Sequence, residues 1–267
     1  MNYLVIKCGG SVMERLPQSF YKNIVELHQG GQWQPIIVHG GGPLISSLLT
    51  KLGVETSFVN GLRVTTKEVL DVVEMVLSGS VNKKIVENLQ KVGGNAYGIS
   101  GVDGELIQAK PASNAEKLGF VGEVINVKTE LIDQILVQKQ IPVISPVGIG
   151  PKGQKFNING DVAASAVAQA LGAKLCFISD IPGIYCEKDG VTKTFHELSH
   201  SQAEELIEKE VITGGMIPKV RAAIDGLTHN VEQVVILNGM ETNSIGQFLE
   251  GKNIGTKMIA DKEIHHV

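Results

Sequence analysis

Apolar residues arrive along this chain in two alternating rhythms. Tyr3-Leu-Val-Ile6 and Pro35-Ile-Ile-Val-His39 are short, nearly continuous apolar runs, the pattern of strands buried on both faces of a parallel sheet. Between and after them the spacing becomes helical. Phe20, Ile24 and Leu27 predict a helix over Gln18–Leu27, stopped by Gly30-Gly31, and Ile45, Leu48, Leu49 and Leu52 share one face of the next helix. Phe58–Thr65 predicts a hairpin turning at Asn60-Gly61. Thr65 and Glu68 have capping-box spacing ahead of a long helix with Val69, Val73 and Val76 inward, and Ser78-Gly-Ser80 predicts a kink or break in its tail.

Ala96–Ser100 is a further strand, ended by Gly101. From 102 to 127 the rhythm changes: Gly104, Pro111, Gly119 and Gly122 separate short β-like pieces such as Val121–Val127, which predicts hairpins. A helix over Thr129–Val137, a strand over Ile141–Ile144 and a helix over Val162–Leu171 restore the first rhythm. Beyond Gly172 the pattern predicts a strand at Lys174–Ser179, a hairpin over Tyr185–Thr194 around Asp189-Gly190, and a helix capped by Ser201 and Glu204. A helix with Val220, Ile224 and Leu227 on one face, a strand at Gln233–Leu237 and an edge strand at Gly255–Ile259 follow. This alternation predicts an α/β fold, a three-layer αβα sandwich with a central, mostly parallel open sheet.

Composition narrows the function classes. Of 267 residues, 43% are hydrophobic and 19% charged, as in globular proteins. The net charge is −4, from 28 acidic and 24 basic residues, so no basic excess exists to neutralise a nucleic-acid backbone. Aromatics are 4%, too few for a base-stacking platform. No apolar run approaches the roughly 18 residues of a membrane span, and no membrane partner is expected. Cys8, Cys176 and Cys186 share no metal-ligand spacing and read as reduced thiols in a cytoplasmic chain.

The candidate chemistry gathers at strand ends. Lys7-Cys-Gly-Gly10 follows the first strand and Gly40-Gly-Gly-Pro43 the second. Bare glycine N–H groups at strand-to-helix turns suit an anion, commonly phosphate. Two such turns at one sheet edge point to a shared ligand. Asn157, Asn159 and Asp161 alternate just before a helix, so they point one way; helix capping requires one of them. With Arg63 and Lys219 this inventory fits phosphoryl transfer, where positioning and charge neutralisation do most of the catalysis. P-loop and protein-kinase motifs are absent, and no Gly-x-Gly-x-x-Gly follows the first strand. His39 is expected as a packed strand-end residue rather than a base.

Ile6-Lys-Cys-Gly-Gly10, Val38-His-Gly-Gly-Gly42, Asn60-Gly-Leu-Arg-Val-Thr65, Asn157-Ile-Asn-Gly-Asp161, Ser179-Asp-Ile-Pro-Gly183 and Gly215-Met-Ile-Pro-Lys219 together resemble the amino acid kinase family. The triple glycine and the Asn-Gly-Leu-Arg-Val-Thr and Asn-x-Asn-x-Asp runs are closest to its branch acting on N-acetyl-L-glutamate. The resemblance implies the carbamate kinase-like fold, with an acyl-amino-acid lobe at about 1–172 and an ATP lobe at about 173–267. It implies Lys7, Lys219 and Asp161 as catalytic, with Asp161 orienting both lysines. Gly41, Gly42, Arg63 and Asn157 would hold the acyl-amino acid; Gly9 and Gly10 would hold phosphate. Asp180, Ile181, Pro182, Gly183, Ile184, Tyr185, Val211, Ile212 and Thr213 would line the nucleotide site. ATP would bring Mg²⁺ with it, and no metal site in the protein is expected. In the resembled family, arginine-inhibited members carry an extra N-terminal helix. With the first strand starting near Tyr3, a homodimer indifferent to arginine is expected.

Overall fold

The parallel sheet forms because its strands are apolar on both faces, and helices cover both. The structure, a computed structural model, describes residues 2–188, 191–213, 216–228, 231, 233–259 and 261; at 187, 188, 191, 192, 218 and 228 the backbone alone is described. The expected turn at Asp189-Gly190, Gly215 of the sixth motif and the Pro218 side chain lie outside these.

The chain opens with β1 (Asn2–Cys8), the short α1 (Gly10–Met13), α2 (Gln18–Gln29), β2 (Trp33–His39) and α3 (Gly42–Lys51). The hairpin β3 (Phe58–Val59) and β4 (Leu62–Arg63) then leads to α4 (Lys67–Glu74) and α5 (Asn82–Lys91). After β5 (Ala96–Ser100) come β6 (Ile107–Pro111), α6 (Ala115–Leu118), β7 (Gly122–Val127), α7 (Glu130–Val137) and β8 (Ile141–Ser145). Next are β9 (Val147–Ile149), β10 (Lys155–Asn157), α8 (Gly160–Leu171) and β11 (Lys174–Ser179). The chain ends with the hairpin β12 (Ile184–Lys188) and β13 (Val191–Phe195), β14 (Glu197–Ser199), α9 (His200–Glu208), α10 (Met216–Thr228), β15 (Val234–Asn238), α11 (Ser244–Leu249) and β16 (Thr256–Ile259).

Eight strands form the central sheet in the order β14-β16-β15-β11-β1-β2-β8-β5, all neighbours parallel except β15 and β16. A four-stranded sheet, β10-β9-β6-β7, carries the region expected as hairpins. Alternation along β1 divides the core. Leu4, Ile6 and Cys8 join the cluster under α2 to α5, whereas Val5 joins the cluster under α7, α8 and α10. Lys7 therefore leaves the sheet on the α8 side.

Four local expectations are corrected. The strand expected at an edge over 255–259 is β16, which lies between β14 and β15. The cap of α4 is Thr66, whose hydroxyl accepts from Val69 N; Thr65 instead donates to Arg63 O at 2.8 Å. Ser199 with Gln202, not Ser201 with Glu204, forms the capping box of α9. Around Ser78-Gly-Ser80 the helix does not break: a π-helical segment, Met75–Val81, joins α4 to α5. No proline interrupts the ladder there, so widening absorbs the irregularity, and Leu77 and Val81 pack on Gly41.

Candidate active site

β1 and β11 are neighbours, but the chain leaves β1 toward β2 on one side and β11 toward β15 on the other. Such a reversal opens a crevice at the carboxyl ends of the strands. Lys7 stands on its floor. Its Nζ meets Asp161 Oδ1 at 2.6 Å, because Asp161 occupies the first turn of α8, directly above the same face of β1. Asn159 is the cap of that helix: its Oδ1 accepts from Asp161 N at 2.8 Å and from Val162 N at 3.3 Å. Of the three alternating polar residues, one is thus structural. Asp161 holds Lys7, and Asn157 Nδ2 donates to Thr65 Oγ1 at 3.1 Å.

The two glycine turns interlock. A Cβ on Gly10 would lie 2.9 Å from Gly41 Cα and 3.0 Å from Gly41 N. Gly40 N donates to Cys8 O at 2.9 Å, tying the ends of β1 and β2 together. Burial pushes the Cys8 thiol up to about 12, against the opposing pull of Lys7. It is a packing residue, not a nucleophile.

Lys219, on α10, reaches the same crevice from the other side. Lys7, Gly9, Asp161, Ser179 and Lys219 line one cleft of about 120 Å³. Asp161 does not hold both lysines, as the resemblance implied. Lys219 Nζ donates to Ser179 Oγ at 2.8 Å and to Asp180 Oδ1 at 3.1 Å. Asp180 Oδ2 takes a second cation, Arg15 Nη2, at 2.5 Å. The Arg15 hydrogen bond first, and the Lys219 bond second, bring the Asp180 carboxyl down to about 2. Neither Arg15 nor Ser179 was singled out from sequence. Arg15 belongs to no motif, and Ser179 opens the Ser179-Asp-Ile-Pro-Gly183 motif without a role of its own there.

A second cleft, of about 200 Å³, is lined by Gly160, whose neighbour Asp161 lines the first. A Cβ on Gly160 would lie 3.4 Å from His39 O and 3.7 Å from Lys7 Cε, so both clefts meet at this point. Gly41, Gly42, Arg63 and Asn157 line it. Arg63 is buried; Nη2 donates to Gly42 O at 3.1 Å and to Ser46 Oγ at 2.6 Å, and the guanidinium stacks 4.7 Å from the Phe58 ring centroid. Its Nη1 is buried without a partner. A buried, under-satisfied guanidinium suits a planar anion such as a carboxylate; burial also draws its pKa down. His39, fully buried, is held near 4 by loss of hydration and stays neutral. Its Nδ1 lies 3.0 Å from Gly40 O and its Nε2 3.3 Å from Asn82 Nδ2.

A third and larger groove, about 610 Å³, lies between the β12–β13 hairpin and the start of α10. Tyr185, Val211, Thr213 and Met216 line it. Ile212 and Ile184 are buried, and Ile184 N donates to Thr256 Oγ1 at 2.7 Å. Gly183, at φ +139°, fits close to Thr256 in a conformation side chains avoid. Ile181 N bonds back to Ser179 Oγ at 3.3 Å, and Pro182 is exposed. Of the expected nucleotide residues, Tyr185, Val211 and Thr213 face the groove. Asp180 does not line it and pairs instead with Lys219 of the lysine cleft.

Two ammonium groups and glycine N–H groups can thus hold an anion in a cleft adjoining the residues of the Arg63 cleft. The family model described as "Amino acid kinase family" matches residues 2–238. An acetylglutamate kinase of Oceanobacillus iheyensis is 48% identical over 267 residues, covering 100% of both chains. Among solved structures, smu.665 from Streptococcus mutans UA159 is 31% identical with a TM-score of 0.81, covering 97% of this chain and 99% of that one. A carbamate kinase from Giardia lamblia bound to AMP-PNP, at 16% identity, matches with a TM-score of 0.69 over 97% of this chain and 99% of its own, and speaks for the fold.

Proposed function

This chain belongs to the amino acid kinase family, and on that premise we propose that it is an acetylglutamate kinase. It transfers the γ-phosphoryl group of ATP to the side-chain carboxylate of N-acetyl-L-glutamate, the kinase step of arginine synthesis. The observation that carries this reading is the meeting of the Arg63 cleft and the two-lysine cleft at Gly160-Asp161, in a chain 48% identical over its whole length to an acetylglutamate kinase.

In this reading Arg63 pairs with the α-carboxylate of the substrate and Asn157 supports it, with the Gly41 and Gly42 backbone against the acyl-amino acid. The side-chain carboxylate, with a pKa near ~4.3, is already ionised at neutral pH, so no base is required. It attacks the γ-phosphorus, the bond to the β,γ-bridging oxygen breaks, and ADP leaves with that electron pair. The obstacle is bringing two anions together. Lys7, Lys219 and the N–H groups of the Gly9-Gly10 turn neutralise the charge spread over the transferring group. Asp161 fixes Lys7 between the reactants. ATP occupies the groove of Tyr185, Val211 and Thr213 and brings Mg²⁺ with it, since Asp161 and Asp180 are both engaged by cations. The acyl-amino-acid lobe is about 1–172 and the ATP lobe about 173–267. Cytoplasmic location and a homodimer complete the proposal; among the described residues no helix is long and apolar enough to cross a membrane.

A coupled ADP-release assay over N-acetylglutamate, glutamate, aspartate, carbamate and UMP tests this. Turnover should follow N-acetylglutamate alone. Preferred turnover of free glutamate would move the chain to another branch of the family.

A further inference from the structure

Arg15 lies outside every motif in the sequence, yet it engages the carboxylate that pairs with Lys219. Asp180 divides its oxygens between two cations: Oδ2 accepts from Arg15 Nη2 at 2.5 Å and Oδ1 from Lys219 Nζ at 3.1 Å. The arginine comes from the loop after α1, the carboxylate from the end of β11 and the lysine from α10. The loop is anchored. Arg15 N donates to Val12 O at 3.0 Å, and Leu16 N to Met13 O at 3.4 Å. Leu16 fills the space left by Gly239, where a Cβ would lie 2.6 Å from Leu16 Cδ2. Gly239 N in turn donates to Ser179 O at 2.9 Å. The backbone carrying Arg15 thus descends from the Gly9-Gly10 turn and is seated against Gly239, which is bonded to the residue preceding Asp180.

Phosphoryl transfer needs the ammonium of Lys219 in one place, but a lysine is a point charge on a flexible stem. A carboxylate can aim it only if the carboxylate is itself fixed. We infer that Arg15 is a positioning residue for phosphoryl transfer: by holding Asp180 Oδ2 it orients Oδ1, and with it Lys219, toward the cleft shared with Lys7 and Asp161. This rests on the assignment of Lys219 to the transferring phosphoryl group. The low pKa of Asp180, due first to Arg15 and then to Lys219, reflects the two cations held on its oxygens. The Arg15 side chain is 59% exposed, and exposed ion pairs add little to folding. A positioning role therefore predicts lost turnover without lost stability.

Arg15→Ala, Arg15→Lys, Asp180→Ala and the double variant Arg15→Ala/Asp180→Ala are compared with the wild type. ADP release with N-acetyl-L-glutamate and MgATP is measured beside melting temperature. Arg15→Ala should lower kcat about tenfold, as expected of a slightly misplaced charged group, with KM for the acceptor within about twofold. Arg15→Lys should recover part of the loss, and melting temperatures should stay together. In the Asp180→Ala background, Arg15→Ala should add nothing, since the group it acts through is gone. Wild-type kcat in Arg15→Ala overturns the inference. So does a full, independent loss in the Asp180→Ala background, which would make Arg15 a direct ligand of the nucleotide. If Asp180→Ala does not fold, Asp180→Asn carries the same comparison. If the wild type turns over a different acceptor from the panel, the acetylglutamate reading fails, and the same variants are compared with that acceptor.

Discussion

Lys7 and Lys219 are one residue type held by different means: Lys7 by Asp161 on a helix N-terminus, Lys219 by Ser179 and Asp180 at a strand end. If both stabilise charge carried most strongly in the transition state, each lysine-to-alanine change lowers kcat by orders of magnitude. A variant keeping more than about a tenth of wild-type turnover, a cost under ~1.4 kcal/mol, removes that lysine from the role. His39 makes a different prediction, on stability. Burial lowers its pKa from 6.5 to about 4 in the folded chain, so the unfolded chain takes up the proton first as pH falls. Its neutral state contributes fully above about pH 6.5, and stability drops between there and pH 4. That linkage amounts to about 2 kcal/mol between pH 7 and pH 5. Urea unfolding at the two pH values should show this loss in the wild type and a smaller one in His39→Gln. Equal losses in both proteins would mean that His39 is not buried neutral.

At the scale of elements, the two glycine turns act as one unit. Gly10 faces the backbone of Gly41, with Cα at 2.9 Å and N at 3.0 Å from a built Cβ, and the rigid ring of Pro43, with Cδ at 3.0 Å. Backbone cannot swing aside as a side chain can. Gly10→Ala should therefore push the ends of β1 and β2 apart, destabilise the fold by about 1–3 kcal/mol and depress kcat more than either KM. Thermal melts with steady-state kinetics check this, and an alanine variant with wild-type kcat would show that the turns are not interlocked. The π-helical segment belongs here too. Gly41 can approach it because it lacks a side chain: a Cβ would meet Leu77 Cδ2 at 2.7 Å. The irregular helix and the bare turn are thus a matched pair.

At the scale of the molecule, the sheet runs continuously from β14 to β5, joining both proposed lobes through the β1–β11 pair. It ends at β5, an edge strand whose Tyr97 is 49% exposed. An edge of this kind is a natural place for a second chain to add, and two-fold pairing is the commonest closed assembly. Light scattering should give the mass of two chains. A stable monomer at micromolar concentration, or a hexamer, would overturn the dimer.

By itself the sequence determined the α/β alternation, the parallel core strands, both glycine turns and Lys7, Arg63, Asp161 and Lys219 as the charged groups at the sheet edge. Those signals are local: apolar period, glycine runs and charge beside them. It misplaced two caps, because Thr65 and Thr66, or Ser199 and Ser201, offer the same hydroxyl, and backbone geometry selects between them; it located the irregularity at Ser78-Gly-Ser80 but not its π-helical form. Tertiary structure alone decided that Asn159 caps α8 while also lining the Arg63 cleft beside Asn157, and that Asp161 lines the lysine cleft. It also decided which carboxylate each lysine meets. Asp161 was expected to hold both lysines, but α8 sets it over β1, whereas the end of β11 sets Asp180 beside α10. Arg15 reaches Asp180 across 165 residues of sequence, a pairing that no local pattern encodes, because it exists only when β1 and β11 lie side by side.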